Sequence, residues 1–329
     1  MFSFRDILVL ISMPKTAIRV IKSLVVRALI PSSRRNNFSE AEYTRIATKK
    51  NRKKKTNQKI CIAGEIKTVS WKEWTEKYEP LKFQEIAQLV SKSVVSDAKL
   101  RVLELGVGQG RTLNYLKTFT TELGLDISWF GCDLTFARLF NFNETPSLPI
   151  RLANADGCYL PYPDGFFDFV YTHHVLEQIP RDFGNVILEG LRVGKRFMAM
   201  EPCFEHANLD GKVNMIIKDH VIRLEKFFAK TTPKYNLVTP QASAKAKNPT
   251  MYFLCDGLPS SEIHENSQNP YVCPTSREPL LLRDNMLINQ EETFGYPIVR
   301  NIPILKPSFR FDLTKTKLQN DGGDFANKS

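Results

Sequence analysis

Glu104, Gly106, Gly108 and Gly110 stand in the run Glu-Leu-Gly-Val-Gly-Gln-Gly, where three glycines at alternate positions join a strand-like stretch to a helical one. Leu100 to Leu105 (Leu-Arg-Val-Leu-Glu-Leu) is a short apolar run of strand character. Arg111 to Leu123 carries Leu113, Leu116 and Phe119 at helical spacing. Glycines in the turn between them admit positive φ and let a ligand approach the backbone. The helix start behind them offers unpaired N–H groups. The chemistry implied is the cradling of a nucleotide-like cofactor.

A dinucleotide fingerprint, G-x-G-x-x-G, would place its last glycine at position 111, which is Arg111. An acid two residues before the first glycine is also awkward beside a pyrophosphate. Glu104 instead suits a cofactor with a cationic end, such as S-adenosylmethionine. Ile127 to Cys132 reads as a second buried strand ending at Asp133, whose carboxylate could accept from both ribose hydroxyls. Asp156, in Asn-Ala-Asp-Gly, falls in a loop where it could accept from an adenine amine.

These motifs, with Gly131-Cys-Asp133-Leu134, Leu160-Pro-Tyr-Pro-Asp164-Gly-Phe-Phe167-Asp168-Phe-Val170 and His174-Val-Leu-Glu177-Gln-Ile-Pro180, resemble a class I S-adenosylmethionine-dependent methyltransferase of the type 11 branch over residues 98–202. The resemblance implies a Rossmann-like α/β sheet, mostly parallel, with helices on both faces. It implies that Glu104, Gly106, Gly108 and Gly110 border the methionine end. Asp133 would take the ribose, Leu134 would pack on the adenine, and Asp156 would read its amine. Asp168 would begin the fourth strand in a structural role.

Methyl transfer from a sulfonium depends on aligning the nucleophile within about 3–3.5 Å of the methyl carbon. An acceptor hydroxyl or ammonium also needs a base, expected at the C-terminal ends of the strands. His173 and His174 follow the strand expected over Phe167–Thr172 and are the candidate bases; Glu177 is expected to hold the next helix start. Glu201 and His206 are weaker candidates. Cys132 and Cys158 are expected to pack, and no metal site is expected.

The net charge of +11 is concentrated at one end: residues 1–60 contain 15 Lys or Arg against three acids, while the remaining chain has 31 against 32. Lys15, Arg19 and Lys22 share one face of a helix beginning near Pro14, with Ala17, Ile21, Leu24 and Ala28 opposite, the pattern of a helix lying in a membrane interface. The charges exclude a spanning segment and make a signal peptide a poor fit, while a mitochondrial presequence stays open. Arg45 to Lys59 reads as a basic linker suited to anionic lipid; it could also neutralise RNA phosphates, though without interleaved aromatics for base stacking. The dispersed cysteines suit a reducing, cytosolic compartment.

Phe197 to Met200 is expected as a fifth strand, reached through a helix that stops at Gly194, and Met251 to Leu254 as a later one. The connection 203–232 is expected to hold a helix and to form a substrate lid, and 240–250 a loop. From Tyr271, the segments Val272-Cys273-Pro274, Pro279-Leu280 and Tyr296 to Pro307 are similar to the small zinc-ribbon-like domain that activates transfer-RNA methyltransferases. Its second ligand position is Ser276, so the resemblance implies a metal-free β mini-domain, with short strands Leu280–Leu282 and Met286–Ile288 around the turn 283–285. The expected organisation is a basic amphipathic helix and linker (1–60), a methyltransferase domain (61–260), a mini-domain (266–310) and a flexible tail (311–329). The expected activity is methylation of an oxygen or nitrogen on a large or lipid-linked acceptor, such as a glycan intermediate, at the cytosolic face of a membrane. RNA or protein methylation, or a catalytically silent cofactor-binding adaptor, are the alternatives.

Overall fold

The computed structural model describes residues 58–62, 65–70, 73, 76, 79–93, 99–142, 150–179, 181–202, 222–231, 235–238, 250–257 and 269–314. The expected N-terminal helix, His206 and most of the proposed lid connection lie outside these residues. In chain order the elements are β1 (Gln58–Ile62), β2 (Glu65–Val69), α1 (Glu79–Ser93), β3 (Leu100–Leu105), α2 (Arg111–Glu122), β4 (Ile127–Asp133), α3 (Phe136–Phe140), β5 (Ile150–Asn154), β6 (Phe169–His173), α4 (Phe183–Val193) and β7 (Arg196–Pro202). They continue with α5 (222–231), β8 (Tyr235–Val238), β9 (Thr250–Asp256), β10 (Leu280–Arg283), β11 (Met286–Asn289), β12 (Phe294–Val299), β13 (Ile302–Pro303) and β14 (Phe311–Asp312). Among the described residues no helix is long and apolar enough to cross a membrane.

Seven strands form the large sheet in the order β5-β4-β3-β6-β7-β9-β8. The first five run parallel, and β9 is inserted antiparallel between β7 and β8. The order reverses between β3, which pairs with β4 on one side, and β6 on the other. This is the topological switch point where open α/β sheets bind ligands outside the strands' C-terminal ends. Two apolar clusters cover the sheet: Phe130, Val170, Leu191 and Phe197 belong to one, and Val102, Trp129, Tyr171 and Met198 to the other. Burial of alternate side chains on opposite faces of the same strands is why β3, β4 and β6 read as continuous apolar runs.

α1 was not read from the sequence, although Phe83, Ile86, Ala87 and Val90 follow the i, i+3, i+4, i+7 pattern and are all buried. In α2 the buried stripe holds Thr112, Leu113, Leu116 and Thr120, while Phe119 is only partly covered. The fourth parallel strand begins at Phe169, two residues later than expected. Asp168 precedes it, accepting from the Arg101 N–H (2.8 Å) and pairing with Lys195 (2.8 Å), so it ties three segments together at the strand's entrance. α4 does stop at Gly194, but in extended conformation (φ −115°) and not as a left-handed cap. Glycine is needed there for space: a Cβ would lie 2.6 Å from Val170 Cγ2. In α5, Leu224 and Phe228 are fully buried, with Phe228 stacked on Phe253 of β9.

The C-terminal strands form a second sheet, β10-β11-β12-β13, with β14 beside β12. The expected hairpin is present, and Asp284 and Asn285 at its tip both have positive φ, the requirement of a type I′ turn. Arg300 and Asn301 repeat this arrangement between β12 and β13. Pairing of Phe294–Gly295 with Phe311–Asp312 carries the sheet beyond residue 310. Cys273, Leu280, Leu287, Phe294, Tyr296 and Leu305 share one apolar cluster with Phe167 and Leu191 of the large domain. Each such burial is worth about 1.5–3 kcal/mol, against about 0–1 kcal/mol for a half-exposed ion pair, so apolar contact holds the two sheets together. The polar contacts fix their register: Arg277 donates to the Leu160 carbonyl (2.7 Å) and pairs with Glu189 (2.9 Å), which also pairs with Arg192 (2.8 Å).

Candidate functional site

The glycine turn lies at the C-terminal end of β3, with Gly106, Gly108 and Gly110 all at positive φ. Its first and last members are also packed: a Cβ on Gly106 would lie 2.5 Å from Val175, and one on Gly110 2.4 Å from the Phe142 ring. Gly108 has more room, with Arg138 at 3.4 Å from the position of such a Cβ. Gly110 caps α2 without a side-chain cap, and the Leu113 N–H in the first turn donates to Glu104.

Glu104 and Asp133 are brought to adjacent strand ends by the β3–β4 pairing. Glu104 is 2% exposed, and the Tyr171 hydroxyl donates to its Oε2 (3.0 Å). Burial pushes its carboxyl well above the usual carboxylate range, with the Tyr171 hydrogen bond opposing and the nearby Asp133 charge adding to the rise. Asp133 accepts from two backbone N–H groups, Gly108 to Oδ2 (2.9 Å) and Thr135 to Oδ1 (2.8 Å). A carboxylate oxygen can accept more than one hydrogen bond, so these contacts are compatible with hydroxyl donors. Leu134 follows, half-buried, in the turn to α3. Asp156 is half-buried beyond β5, and its Oδ1 accepts from the Cys158 N–H (2.9 Å), the hydrogen bond of an Asx turn.

His173 is the last residue of β6, not a residue beyond it, because the strand starts later than expected. Thr112 Oγ1 lies 2.8 Å from its Nδ1, and its ring meets Phe83 edge-on at 5.3 Å. His174 follows the strand with φ 54°, a strained value for a non-glycine residue. Its side chain is 38% exposed, and its Nδ1 lies 3.7 Å from Glu177 Oε1. Glu177 lies in a 3-10 turn over Leu176–Gln178, where Gln178 also donates to the His174 carbonyl. Glu201 is in β7, paired with Met251. Cys132 and Cys158 pack as expected: burial raises both thiols, Cys158 to about 12, so neither is a thiolate near neutral pH.

Several participants were not read from the sequence. Tyr171, Thr112 and Phe83 meet the expected site residues only through the tertiary fold. Asn154 ends β5, donating to the Asp133 (2.8 Å) and Leu134 (2.9 Å) carbonyls. The Asn154 Oδ1 and the Thr135 Oγ1 are buried without a hydrogen-bond partner among the described residues. In the C-terminal sheet, hydroxyls surround the Cys273 sulfur, Thr275 Oγ1 at 3.3 Å and Tyr296 at 3.4 Å. Burial opposes ionisation of this thiol, but hydrogen bonds from Ser276, Thr275 and Tyr296 bring it down to about 7. Among the described residues, no three His, Cys, Asp or Glu side chains are grouped to hold a metal ion.

A buried acid at one end, a close-approach glycine at the centre and two buried oxygen atoms without partners beside the Asp133–Thr135 turn fit a ligand that is cationic at one end and rich in donors at the other. Residues 103–196 match the family described as a methyltransferase domain. The chain carries a class I methyltransferase domain, and its cofactor is S-adenosylmethionine. No curated protein matches the chain. Among solved structures it is similar to an S-adenosylmethionine-dependent methyltransferase from Aquifex aeolicus, with 15% identity, 54% of this chain and 100% of that one covered, and a TM-score of 0.35. It is similar also to the plantazolicin methyltransferase BpumL in complex with a monoazolic desmethylPZN analog and S-adenosylhomocysteine, with 12% identity, coverage of 56% and 88%, and a TM-score of 0.42. A third is a phosphoethanolamine N-methyltransferase from Haemonchus contortus, with 13% identity, coverage of 54% and 53%, and a TM-score of 0.40.

Proposed function

We propose that the chain methylates an oxygen or nitrogen of a large or lipid-linked acceptor, such as a glycan intermediate, at the cytosolic face of a membrane. The observation that carries the acceptor reading is the charge distribution: a balance of +12 over residues 1–60 precedes a nearly neutral remainder. Cations near an anionic surface contribute on the order of 1 kcal/mol each, enough for several together to retain a protein there. The organisation follows: a basic arm, a catalytic domain with a lid after β7, and a mini-domain packed on it.

The bound cofactor supplies an electrophilic methyl group. Glu104 and the glycine turn hold its cationic methionine end, Asp133 accepts from the ribose, Leu134 packs on the adenine and Asp156 accepts from the adenine amine. His174 receives the acceptor's proton. With Nδ1 turned towards Glu177, its Nε2 is the atom that takes it. His173, engaged with Thr112 and Phe83, orients the strand end. His174→Asn should lower turnover about 100-fold while leaving S-adenosylhomocysteine affinity unchanged, and undiminished turnover would remove the base assignment. The acceptor can be sought by mass spectrometry of lipid and glycan extracts, reading the mass of one added methyl.

Liposome flotation tests the membrane reading by comparing the intact chain with one that begins at Gln58, the first residue of β1. Only the intact chain should float with anionic vesicles, and equal flotation would sink the reading. RNA or protein methylation is the second reading, supported by the similarity of residues 271–307 to an activator of transfer-RNA methyltransferases. A silent adaptor would bind the cofactor without turnover.

A further inference from the structure

The outer edge of the large sheet, β5, is covered by chain from the opposite end of the sequence. Asn154 forms a parallel bridge with Ile304, and the Leu305 N–H donates to the Asn154 carbonyl (2.8 Å). One residue further, Lys306 is 5% exposed. Its ammonium donates to the Leu134 carbonyl (3.3 Å) and lies 4.7 Å from the Phe309 ring centroid. The Asn154 carboxamide donates to the same Leu134 oxygen, and to the Asp133 carbonyl preceding it. Two donors from distant parts of the chain thus hold one peptide oxygen. A buried ammonium is costly unless oxygens solvate it, so this contact constrains both partners.

We propose that Lys306 and Asn154 form a clasp that sets the Asp133–Thr135 turn, making Lys306 a positioning residue for the adenosine half of the methyl donor. The inference rests on the reading that Asp133 and Leu134 hold that half. Fixing the Leu134 carbonyl fixes the adjoining peptide planes, and with them the Thr135 N–H that orients the Asp133 carboxylate. The same turn carries the buried Thr135 Oγ1, and the Asn154 Oδ1 belongs to the clasp itself; neither has a hydrogen-bond partner among the described residues, and both are available to a donor-bearing ligand. Through Lys306 the C-terminal sheet contributes to the cofactor site while standing outside it.

The test uses the full chain with Lys306→Met, which keeps the length of the side chain and removes its charge. In the free protein, hydrogen exchange should quicken over residues 130–142 while residues 280–299 exchange as in wild type. By calorimetry, the Kd values for S-adenosylhomocysteine and for 5′-methylthioadenosine, which lacks the amino acid, should rise by a common factor of about ten. Lys306→Arg should recover most of the loss. Unchanged exchange over 130–142 together with unchanged Kd values overturns the proposal. If Lys306→Met also quickens exchange through 280–299, the mini-domain has loosened, and Asn154→Leu reads the clasp instead. The same rise for both ligands is then expected, and wild-type affinities overturn the proposal. A wild-type chain that binds neither ligand would count against the donor site assignment, whereas exchange in the free protein still reports on the clasp.

Discussion

Glu104→Gln should raise the Kd for S-adenosylmethionine about 100-fold near neutral pH if, as proposed, the buried carboxylate is the countercharge to the cofactor's cationic end. S-adenosylhomocysteine, without the sulfonium charge, should lose less. The free protein holds Glu104 protonated to unusually high pH because burial disfavours the charged form. The cofactor favours the ionised form, so wild-type affinity should increase as pH rises through the raised pKa of this carboxyl. The window closes at about pH 7.5, above which the cofactor's own amino group begins to lose its proton. The variant should show no such rise, and a pH-independent wild-type affinity in calorimetry would exclude Glu104 from the cation site. The linkage also applies to folding. A group whose folded pKa exceeds its unfolded value contributes stability fully present below the unfolded pKa and lost as pH rises through the folded one. The free protein therefore loses this contribution on going from acid to neutral pH, and the rise in Tm produced by the cofactor should grow in parallel.

Asp133→Ala should both destabilise the fold and abolish measurable cofactor binding. The carboxylate is 4% exposed and accepts from the N–H groups of Gly108 and Thr135, so its removal leaves two donors without their acceptor. At about 1–3 kcal/mol for each such buried group, denaturant unfolding should show a loss of about 3 kcal/mol or more. Asp133→Asn, which retains one accepting oxygen, should fall between alanine and wild type in stability. Binding separates the two roles of this side chain: an alanine variant that still binds S-adenosylhomocysteine as tightly as wild type would refute the ribose assignment. Its hydrogen bonds to Gly108 and Thr135 join the glycine turn to the end of β4. Asp133 holds Gly108 in place before any ligand arrives, so the turn is formed in advance.

Much of the catalytic domain was legible because its strands are buried on both faces and its loops carry the chemistry. Leu100–Leu105 and Ile127–Asp133 stand out as apolar runs, and the acids that terminate or border them belong to a recognisable order of motifs. The start of β6 was misread by two residues because Phe167 and Asp168 look like the strand that follows them; the Arg101 N–H and Lys195, both remote in sequence, hold Asp168 outside it. α1 was not read although its apolar spacing was present, and its buried face is completed by contacts remote in sequence, such as Phe83 stacked on Tyr115 of α2. The turn expected over 283–285 was legible for a local reason, since Asp and Asn tolerate positive φ; the structure narrows it to a type I′ turn at Asp284-Asn285.

The sequence by itself determined the buried strands β3 and β4, the glycine turn between β3 and α2, and the acids Glu104, Asp133 and Asp156 on which the proposed donor site rests. Those features depend on local backbone preference and on periodic burial, which neighbouring residues encode. Only the tertiary structure decided that Tyr171 donates to Glu104, that Thr112 and Phe83 engage His173 while His174 faces Glu177, and that Lys306 reaches the Leu134 carbonyl across 172 residues. Contacts of that kind depend on which strand ends become neighbours when the sheet closes, and no local pattern carries that information.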